Sequence, residues 1–355
     1  MFLAVNELIK EKTRFLLIVA VIALVSYLTF FLTALAYGLA TSYTQGIEKW
    51  QAGGIVLQSD ANDNVARSLI HKSDYGSYDD AATALLGVGN ATVKADEAED
   101  VALFGIDPTD FLAPNITEGR QVRAEGEVVV SDQLKKVGVS LGDTLSFKGG
   151  DTTYAVVGFT DRATFQTAPI VYMQLDAWRT TASELAGMMG MKDATTVNAV
   201  VTKQADGASY TTDTLQWRSI KDFSFKLPGY NAQVLTFSTM IGFLIVIASF
   251  VLAIFMYILT LQKKSMFGVL KAEGIPNKYI ARSVKTQIVI LSIIGMGIGL
   301  VATIGSGMAL GDKIPFMIQP LFYVAIIALF LLCAAIGGIA SVWAVTKIDP
   351  VEAIG

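Results

Sequence analysis

The sequence predicts a membrane protein with four transmembrane α-helices and a mixed α/β extracytoplasmic domain inserted between helices 1 and 2. Three observations predict this fold class. The chain of 355 residues is 53% hydrophobic and only 16% charged, which is too apolar for an ordinary soluble protein of this length. Its apolar residues are concentrated in four runs without charge. A polar stretch that is long enough to bury a core of its own separates the first run from the second.

The four charge-free runs cover residues 15–47, 227–262, 286–311 and 314–346. Each is longer than the roughly 20 residues that a helix needs to cross about 30 Å of hydrocarbon. The spans are therefore predicted at residues 15–40, 234–262, 286–310 and 319–345. The first run is too long for the apolar part of a signal peptide, which has roughly 7–15 residues. We interpret this run as a retained anchor.

The distribution of charge predicts which side of the membrane each segment faces. Residues 41–233 carry 16 Lys and Arg against 25 Asp and Glu, whereas the rest of the chain carries 11 against 6. The cations outside this region cluster next to the apolar runs, where the positive-inside rule applies. We therefore expect a multi-pass protein of the cell membrane. Its cytoplasmic parts are residues 1–14, 263–285 and 346–355, and its outer parts are residues 41–233 and a turn at 311–318.

The inserted region is predicted to contain both strands and helix. Residues 127–130 (EVVV), 144–147 and 154–159 (YAVVGF) are rich in strand-forming residues, and glycines at 142, 149 and 150 supply turns between them. Residues 131–137 (SDQLKKV) predict a short helix capped by Ser131. Further strands are expected at residues 54–57, 101–106, 170–173 and 197–202.

Several kinds of chemistry are excluded by the residues present. No G-x-x-x-x-G-K-[ST] phosphate-binding loop occurs, so we expect no ATPase activity in this chain. His71 is the only histidine and lies in a polar context, which favours a solvated side chain over a catalytic one. Cys333 is the only cysteine, so neither an intrachain disulfide nor a Cys-based zinc site is expected. The acidic inserted region also argues against nucleic-acid binding.

The predicted cytoplasmic segment at 263–285 carries apolar residues among its cations. On a helix, Met266, Phe267 and Leu270 form one apolar face flanked by lysines. Gly274 is expected to end this helix and Pro276 to begin the next. Two interpretations remain open. The face lies on lipid with its cations at anionic head groups, or it binds a cytoplasmic protein.

The whole chain resembles the macrolide-exporter-type (MacB-like) permeases of ATP-binding-cassette (ABC) transporters. The resemblance rests on the topology, on FGVLKAEGIPNKYI after the second run and on the terminal IDPVEAI. It implies a permease homodimer in the lipid membrane and a separate cytoplasmic ATPase in two copies, which binds the ATP and magnesium. It also implies that the segment after the second helix engages this ATPase. The matching residues are Phe267, Gly268, Leu270, Lys271, Glu273 and Gly274, to which the apolar face adds Met266.

The N-terminal end of the chain resembles one particular branch of this superfamily. MFLAVNELIKEKTRF, LVSYLTFFLTALAYGLA and EKWQAGGIVL are similar to the haem-efflux permeases of Gram-positive bacteria. This branch implies that the transported compound is haem and that no intrinsic cofactor is needed. Members of the superfamily also export antibiotics, lipids or lipoproteins, or transmit force to an extracellular partner, and fold alone does not decide among these functions.

A polar face follows the predicted first helix. Its members are Ser26, Phe30, Thr33, Tyr37, Thr41, Thr44 and Glu48, which follow one another at steps of three or four residues. The 22 residues from Ser26 to Glu48 make about 6.1 turns, so the two ends differ by only about 40° around the axis. Polar groups in hydrocarbon are costly unless they are paired, so this face is expected to meet protein or a cavity. Helix packing and a substrate-lining role are both open.

A haem site is predicted near the outer ends of the first two helices. Iron ligands in proteins include His, Met, Cys and Tyr, and His71 and Cys333 lie elsewhere. The hypothesis places Glu48 and Met240 at the iron, with Phe237 and Tyr43 against the porphyrin and Tyr37 nearby. Glu48 lies about 50 Å along its helix from Phe15, so it is expected at or outside the membrane surface. The alternative is a solvated acid beside Lys49.

The third run contains Gly295, Gly299, Gly307 and Gly311. They form two small-x-x-x-small pairs, which permit close contact between helix backbones. We expect this face to pack within the subunit.

Overall fold

The computed structural model describes residues 12–76, 81–95, 97–185, 196–262, 264–310 and 314–346. The chain divides into two compact units. The helical unit comprises residues 1–38 and 234–355, and the inserted domain comprises residues 39–233. Most of the predicted cytoplasmic segment at 1–14, part of the turn at 311–318 and most of the C-terminal segment at 346–355 lie outside the described residues.

Five helices belong wholly or partly to the helical unit, and three short ones lie in the inserted domain. In chain order they are α1 (Lys12–Glu48), α2 (Lys72–Tyr75), α3 (Leu175–Glu184), α4 (Ile220–Lys226), α5 (Tyr230–Gln262), α6 (Lys264–Ala272), α7 (Asn277–Leu310) and α8 (Pro320–Thr346). Helix α1 continues beyond residue 40, where the first span was predicted to end, because no proline intervenes before Glu48 and the single glycine, Gly46, is tolerated within the helix. Helix α5 likewise begins four residues before the predicted second span.

Among the described residues, three helices are long and apolar enough to cross a membrane. The candidate spans are Phe15–Glu48, Tyr230–Phe255 and Asn277–Leu310. In α8 the side chains are described for Pro320–Ile336, and this part is apolar but shorter than the three candidate spans. The fourth crossing therefore stays a prediction.

The glycine face of α7 packs against α1, as expected. A Cβ atom on Gly299 would lie 2.8 Å from the main-chain nitrogen of Tyr27, and one on Gly295 would lie 2.5 Å from the side chain of Ile22. Gly307 is in similarly close contact with Phe316, whereas Gly311 lies outside the described residues. The small side chains thus let the two helix backbones approach each other within one subunit.

The inserted domain is built on one mixed sheet of eleven strands. They are β1 (Gly54–Gln58), β2 (Thr83–Val93), β3 (Glu99–Ile106), β4 (Ile116–Gly119), β5 (Glu127–Ser131), β6 (Thr144–Ser146), β7 (Thr153–Thr160), β8 (Thr164–Phe165), β9 (Ala168–Gln174), β10 (Ala199–Thr202) and β11 (Leu215–Ser219). Their order is β11-β1-β10-β2-β3-β9-β5-β7-β4, with β6 on β7 and β8 on β9. The pairs β3–β9 and β5–β7 are parallel, and the other pairs are antiparallel.

Every strand predicted in this domain is confirmed within a few residues. The helix predicted at 131–137 is a 3₁₀ helix over Asp132–Val137, and the Ser131 hydroxyl accepts a hydrogen bond from the Gln133 amide at its start. The longest strand, β2, was not predicted because Gly87 and Gly89 interrupt its apolar pattern. The structure explains Gly87, since Trp178 of α3 packs directly on this position.

Replacing Gly87 by Ala should destabilise the inserted domain. The added Cβ would lie 2.3 Å from the indole ring of Trp178, which is fully buried and has no room to move. Overpacking of this kind typically costs about 1–3 kcal/mol. Thermal unfolding of the full chain measures the loss. Gly126→Ala is the matched control, because its Cβ would meet nothing within 4 Å, and an equal effect of both variants would contradict this explanation of Gly87.

Candidate functional site

The N-terminal part of the polar face on α1, which begins at Ser26, packs against other helices of the same chain. Ser26 and Phe30 are both buried, and the Phe30 ring stacks on Tyr323 of α8 with 5.1 Å between ring centroids. The Tyr323 hydroxyl donates to the main-chain oxygen of Phe30 at 3.0 Å. On the other side, Tyr27 and Ser306 of α7 share a hydrogen bond of 3.0 Å. This part of the face therefore holds α1 against α7 and α8.

The hydroxyl groups on this part of α1 are already hydrogen-bonded within the helix. Thr29 donates to the oxygen of Val25 at 2.8 Å, and Thr33 donates to the oxygen of Thr29 at 2.7 Å. Ser26 donates in the same way to Ile22. Satisfied polar groups need no substrate to compensate their burial. The geometry thus favours helix packing for Ser26 and Thr33.

Tyr37 lies where another segment of the helical unit crosses α1. Its ring packs edge-on against Phe322 of α8, with 5.4 Å between centroids. The amide of Met317 donates to the oxygen of Ala34 at 3.2 Å, and a Cβ on Gly38 would overlap the main chain of Pro315. The segment before α8 therefore covers α1 next to Tyr37, which leaves this tyrosine half-buried.

Glu48 and Tyr43 belong to the inserted domain and point in different directions. The step of five positions from Tyr43 to Glu48 corresponds to a net rotation of about 140° around a helix. Glu48 is exposed and accepts a hydrogen bond of 2.6 Å from the Thr44 hydroxyl. Tyr43 instead contacts Tyr230 at the start of α5, with 5.7 Å between centroids, and Phe225 also contacts Tyr230 with a centroid distance of 5.7 Å. The structure thus brings Tyr43 into an aromatic cluster and leaves Glu48 accessible.

Phe225 and Tyr230 were missed by the sequence reasoning. A signal was available, because they flank Pro228 and Gly229 at the start of the second charge-free run, and tyrosines are enriched at membrane interfaces. Gly229 adopts φ +82°, which favours glycine, and a Cβ at this position would lie 3.4 Å from the Tyr43 hydroxyl.

The remaining predicted haem residues, Phe237 and Met240, lie on α5 in the helical unit. They are three residues apart and so share one side of the helix. Met240 is 44% exposed, and Phe237 is half-buried. Only 12% of the most apolar stretch of α5 is buried, against 44% for α1 and 39% for α7. Helix α5 therefore makes fewer contacts with the rest of the chain than α1 and α7 do. Both side chains are therefore on a helix that is open to lipid, to a ligand or to another subunit.

The lysine that follows Glu48 does not pair with it. The Lys49 ammonium donates to the main-chain oxygen of Asp161. Burial lowers the pKa of Lys49, while the negative charges of Asp161 and Asp132 act in the opposite direction. Glu48 itself is exposed, so the alternative of a solvated acid beside Lys49 stays open.

The predicted apolar face of the cytoplasmic segment is only partly exposed, which is a correction. Phe267 is 2% exposed and belongs to the same buried cluster as Ile280 and Val284 of α7, and Leu270 packs against that cluster. The physical reason is that removing a large aromatic ring from water into the helical core lowers the free energy of the folded chain. Met266 and Val269 remain exposed, at 37% and 44%. Glu273, the first residue after α6, is also exposed and continues this side, since its amide donates to the oxygen of Val269 at 3.0 Å as in a helix.

The turn between α6 and α7 forms as predicted. Gly274 adopts φ +84° and donates to the oxygen of Lys271 at 3.0 Å, while Ile275 donates to the oxygen of Leu270 at 3.0 Å. This pair of hydrogen bonds is a Schellman motif, and Ile275 and Leu270 both pack against the buried cluster. The amide of Tyr279 then donates to Pro276 at 2.8 Å at the start of α7. Gly268 is buried, and Lys271 is half-buried.

Comparison with known proteins supports the predicted resemblance. The family model described as FtsX-like permease C-terminal matches residues 238–350. The chain is 27% identical over 363 residues to a putative hemin transport system permease protein HrtB of Staphylococcus epidermidis, and 24% identical over 359 residues to that of Staphylococcus haemolyticus. Each alignment covers 100% of this chain and 99% of the relative. Among solved structures, the extracellular domain of the noncanonic ABC-type transporter YknZ from Gram-positive bacteria has a TM-score of 0.32 and 16% identity, covering 46% of this chain and 99% of that one.

These findings confirm the resemblance to macrolide-exporter-type permeases and to their haem-efflux branch. The matched residues 238–350 contain most of α5 and all of α6 and α7. The apolar helices and the mixed sheet are those of a membrane permease with an α/β domain between its N-terminal and C-terminal helices.

Proposed function

We propose that this chain, which is similar over its whole length to putative hemin transport permeases, is the permease subunit of an ABC-type efflux pump that exports haem from the membrane. The observation that carries the proposal is this full-length similarity, which spans both the helices and the inserted domain. A separate cytoplasmic ATPase in two copies supplies the energy. The permease itself breaks no bond in its substrate, and its work is mechanical.

The arrangement in the membrane is part of the proposal. Both termini and the segment around α6 face the cytoplasm, because the cations outside the inserted domain cluster there. The acidic inserted domain is extracytoplasmic. Helix α5 supports a homodimer in lipid, since its exposed apolar side chains lack partners in their own subunit over most of the described length.

Haem is proposed to bind near Glu48 and Met240. Glu48 is exposed and Met240 lies on the open side of α5, so both are available to a ligand. Carboxylate oxygen and thioether sulfur are both able to ligate iron. The phenyl ring of Phe237 and the ring of Tyr43 offer apolar contact to a porphyrin, with Tyr230 supporting Tyr43. Tyr37 is a weaker candidate, because Phe322 already occupies one side of its ring.

The double variant Glu48→Gln and Met240→Leu should weaken haemin binding while preserving the fold. Loss of the proposed ligands is expected to raise Kd by about tenfold or more, which corresponds to about 1.4 kcal/mol. Titration of the purified chain with haemin, followed by the Soret band, measures the change. Glu125→Gln with Met308→Leu is the matched control, because both of its residues are exposed and lie outside the proposed site. An unchanged spectrum and affinity in the test variant would mean that haem binds elsewhere.

The transport function is tested with the chain and its ATPase in liposomes. Haemin should stimulate ATP hydrolysis, and haem should cross the membrane in an ATP-dependent manner. Stimulation by a lipid, antibiotic or peptide instead would identify another amphipathic substrate. If no small hydrophobic compound stimulates hydrolysis but an extracellular protein binds the inserted domain, the chain is a mechanotransmission subunit and the export proposal fails.

A further inference from the structure

A pocket in the inserted domain lies at the end of α1, and none of the residues proposed to bind haem lines it. Its volume is about 430 Å³. It is lined by residues 49–51 after α1, by residues 111–115, by Tyr172 of β9 and by Lys203 after β10. Pockets that bind small molecules typically have about 300–1,000 Å³. The space is therefore sufficient for a ligand of moderate size.

The floor of the pocket is aromatic and firmly packed. Trp50 and Tyr172 are both almost completely buried, and both pack against Phe104, with centroid distances of 5.8 and 5.7 Å. Phe104 also contacts Phe165 at 5.4 Å. Because these rings belong to the main core of the domain, they form a rigid apolar surface that needs no rearrangement to receive a ligand.

The charge of the pocket is opposite to that of its domain. Residues 41–233 carry an excess of acidic residues, yet the residues that line the pocket include two lysines and no carboxylate. The Lys203 ammonium lies 4.7 Å from the centre of the Phe111 ring, and Lys49 donates to a main-chain oxygen. Across the described part of the chain, neither lysine forms a salt bridge. Two lysines thus line this space, and the negative charges that act on Lys49, those of Asp161 and Asp132, belong to residues outside the pocket lining.

A buried donor adds to this pattern. The indole N–H of Trp50 has no hydrogen-bond partner among the described residues. An unsatisfied buried donor costs about 1–3 kcal/mol. This unpaired donor belongs to a residue that lines the pocket.

We propose that this pocket binds an aromatic or otherwise apolar molecule that carries carboxylate groups. The apolar body would lie on Trp50 and Tyr172, and the carboxylates would interact with Lys49 and Lys203. The aromatic floor selects against small hydrophilic anions, and the two lysines select against uncharged hydrophobic compounds. The inference is independent of which compound the chain exports.

The test uses protoporphyrin IX as the probe and the full chain in lipid nanodiscs. This porphyrin has two carboxylates and no iron, so it does not report iron ligation at Glu48 or Met240. Binding is followed by porphyrin fluorescence in wild-type chain and in Lys49→Gln with Lys203→Gln. Loss of two charge-assisted contacts should weaken binding roughly tenfold or more. The control Lys148→Gln with Lys221→Gln removes the same charge from two exposed lysines outside the pocket, and should bind as the wild type does.

Two further measurements separate the contributions of charge and apolar contact. The dimethyl ester of protoporphyrin IX should bind equally to wild-type chain and to the lysine double variant. Phe111→Ala should weaken binding of the acid and of the ester alike, because it trims the apolar wall. If the lysine double variant and its control bind protoporphyrin IX equally, the proposal is wrong. That result would leave open whether haemin stimulates ATP hydrolysis. The pocket proposal and the export proposal are therefore tested independently.

Discussion

Replacing Gly299 by Leu is expected to disrupt the helical unit and to lower its stability strongly. A Cβ at this position would lie 2.8 Å from the main-chain nitrogen of Tyr27 and 2.9 Å from the main-chain oxygen of Ala23. These atoms belong to the backbone of α1, so a side chain rotation does not relieve the overlap. The two helices would have to separate, which would also break the hydrogen bond between Thr303 and the Tyr27 oxygen.

The expected cost exceeds the roughly 1–3 kcal/mol that is typical of overpacking in a core, because backbone is displaced as well as side chains. Thermal unfolding in detergent and the yield of folded chain measure it. Gly297→Leu is the matched control, since Gly297 lies on the same helix two residues away and a Cβ there would meet nothing within 4 Å. Equal behaviour of the two variants would show that Gly299 is not a packing contact.

The features that could be predicted from sequence are those that rest on local pattern. Long charge-free runs predicted α1, α5 and α7, because the length and composition of a membrane helix are set by the bilayer and not by its neighbours. The Gly274–Pro276 turn was predictable for a similar reason. A glycine in the left-handed region and a following proline specify the end of one helix and the start of the next without help from tertiary contacts.

The features that were missed depend on contacts between distant residues. Strand β2 is interrupted by Gly87, and only the packing of Trp178 on that position explains the glycine. The pocket at the end of α1 combines Lys49 with Lys203, which are more than 150 residues apart in the chain. The exposure of Phe267 was predicted wrongly because helical periodicity identifies an apolar face but does not state what covers it.

The correction at Phe267 changes how the predicted coupling segment is tested. Phe267 and Leu270 matched the family pattern, but Phe267 is buried in the helical core and Leu270 is partly buried against it. Substituting Phe267 would therefore test folding, since Phe→Ala in a core typically costs about 3–5 kcal/mol. The surface that a cytoplasmic ATPase could contact on α6 is the exposed side formed by Met266, Val269 and Glu273. Phe267 and Leu270 would hold α6 in place, and the exposed side would receive the force.

The variant Met266→Asp with Val269→Asp should abolish coupling and leave the fold intact. Both side chains are exposed, so the substitution removes an apolar contact without opening a cavity. Haemin-stimulated ATP hydrolysis and co-purification of the ATPase are expected to be lost, whereas haemin binding and thermal unfolding of the permease should match those of the wild type. The conservative variant Met266→Leu with Val269→Ile keeps the apolar side and should keep coupling.

The same variant distinguishes an ATPase contact from a lipid contact on this side of α6. If Met266 and Val269 only rest on the membrane surface, two aspartates would repel anionic lipid but would not affect the ATPase. The ATPase would then co-purify in normal amount and haemin would stimulate it as before. If they form the contact that transmits force, the ATPase dissociates even in neutral lipid, because a buried interface does not tolerate two unpaired charges. Comparing co-purification in neutral and in anionic nanodiscs therefore decides whether α6 is a docking element or an interfacial one.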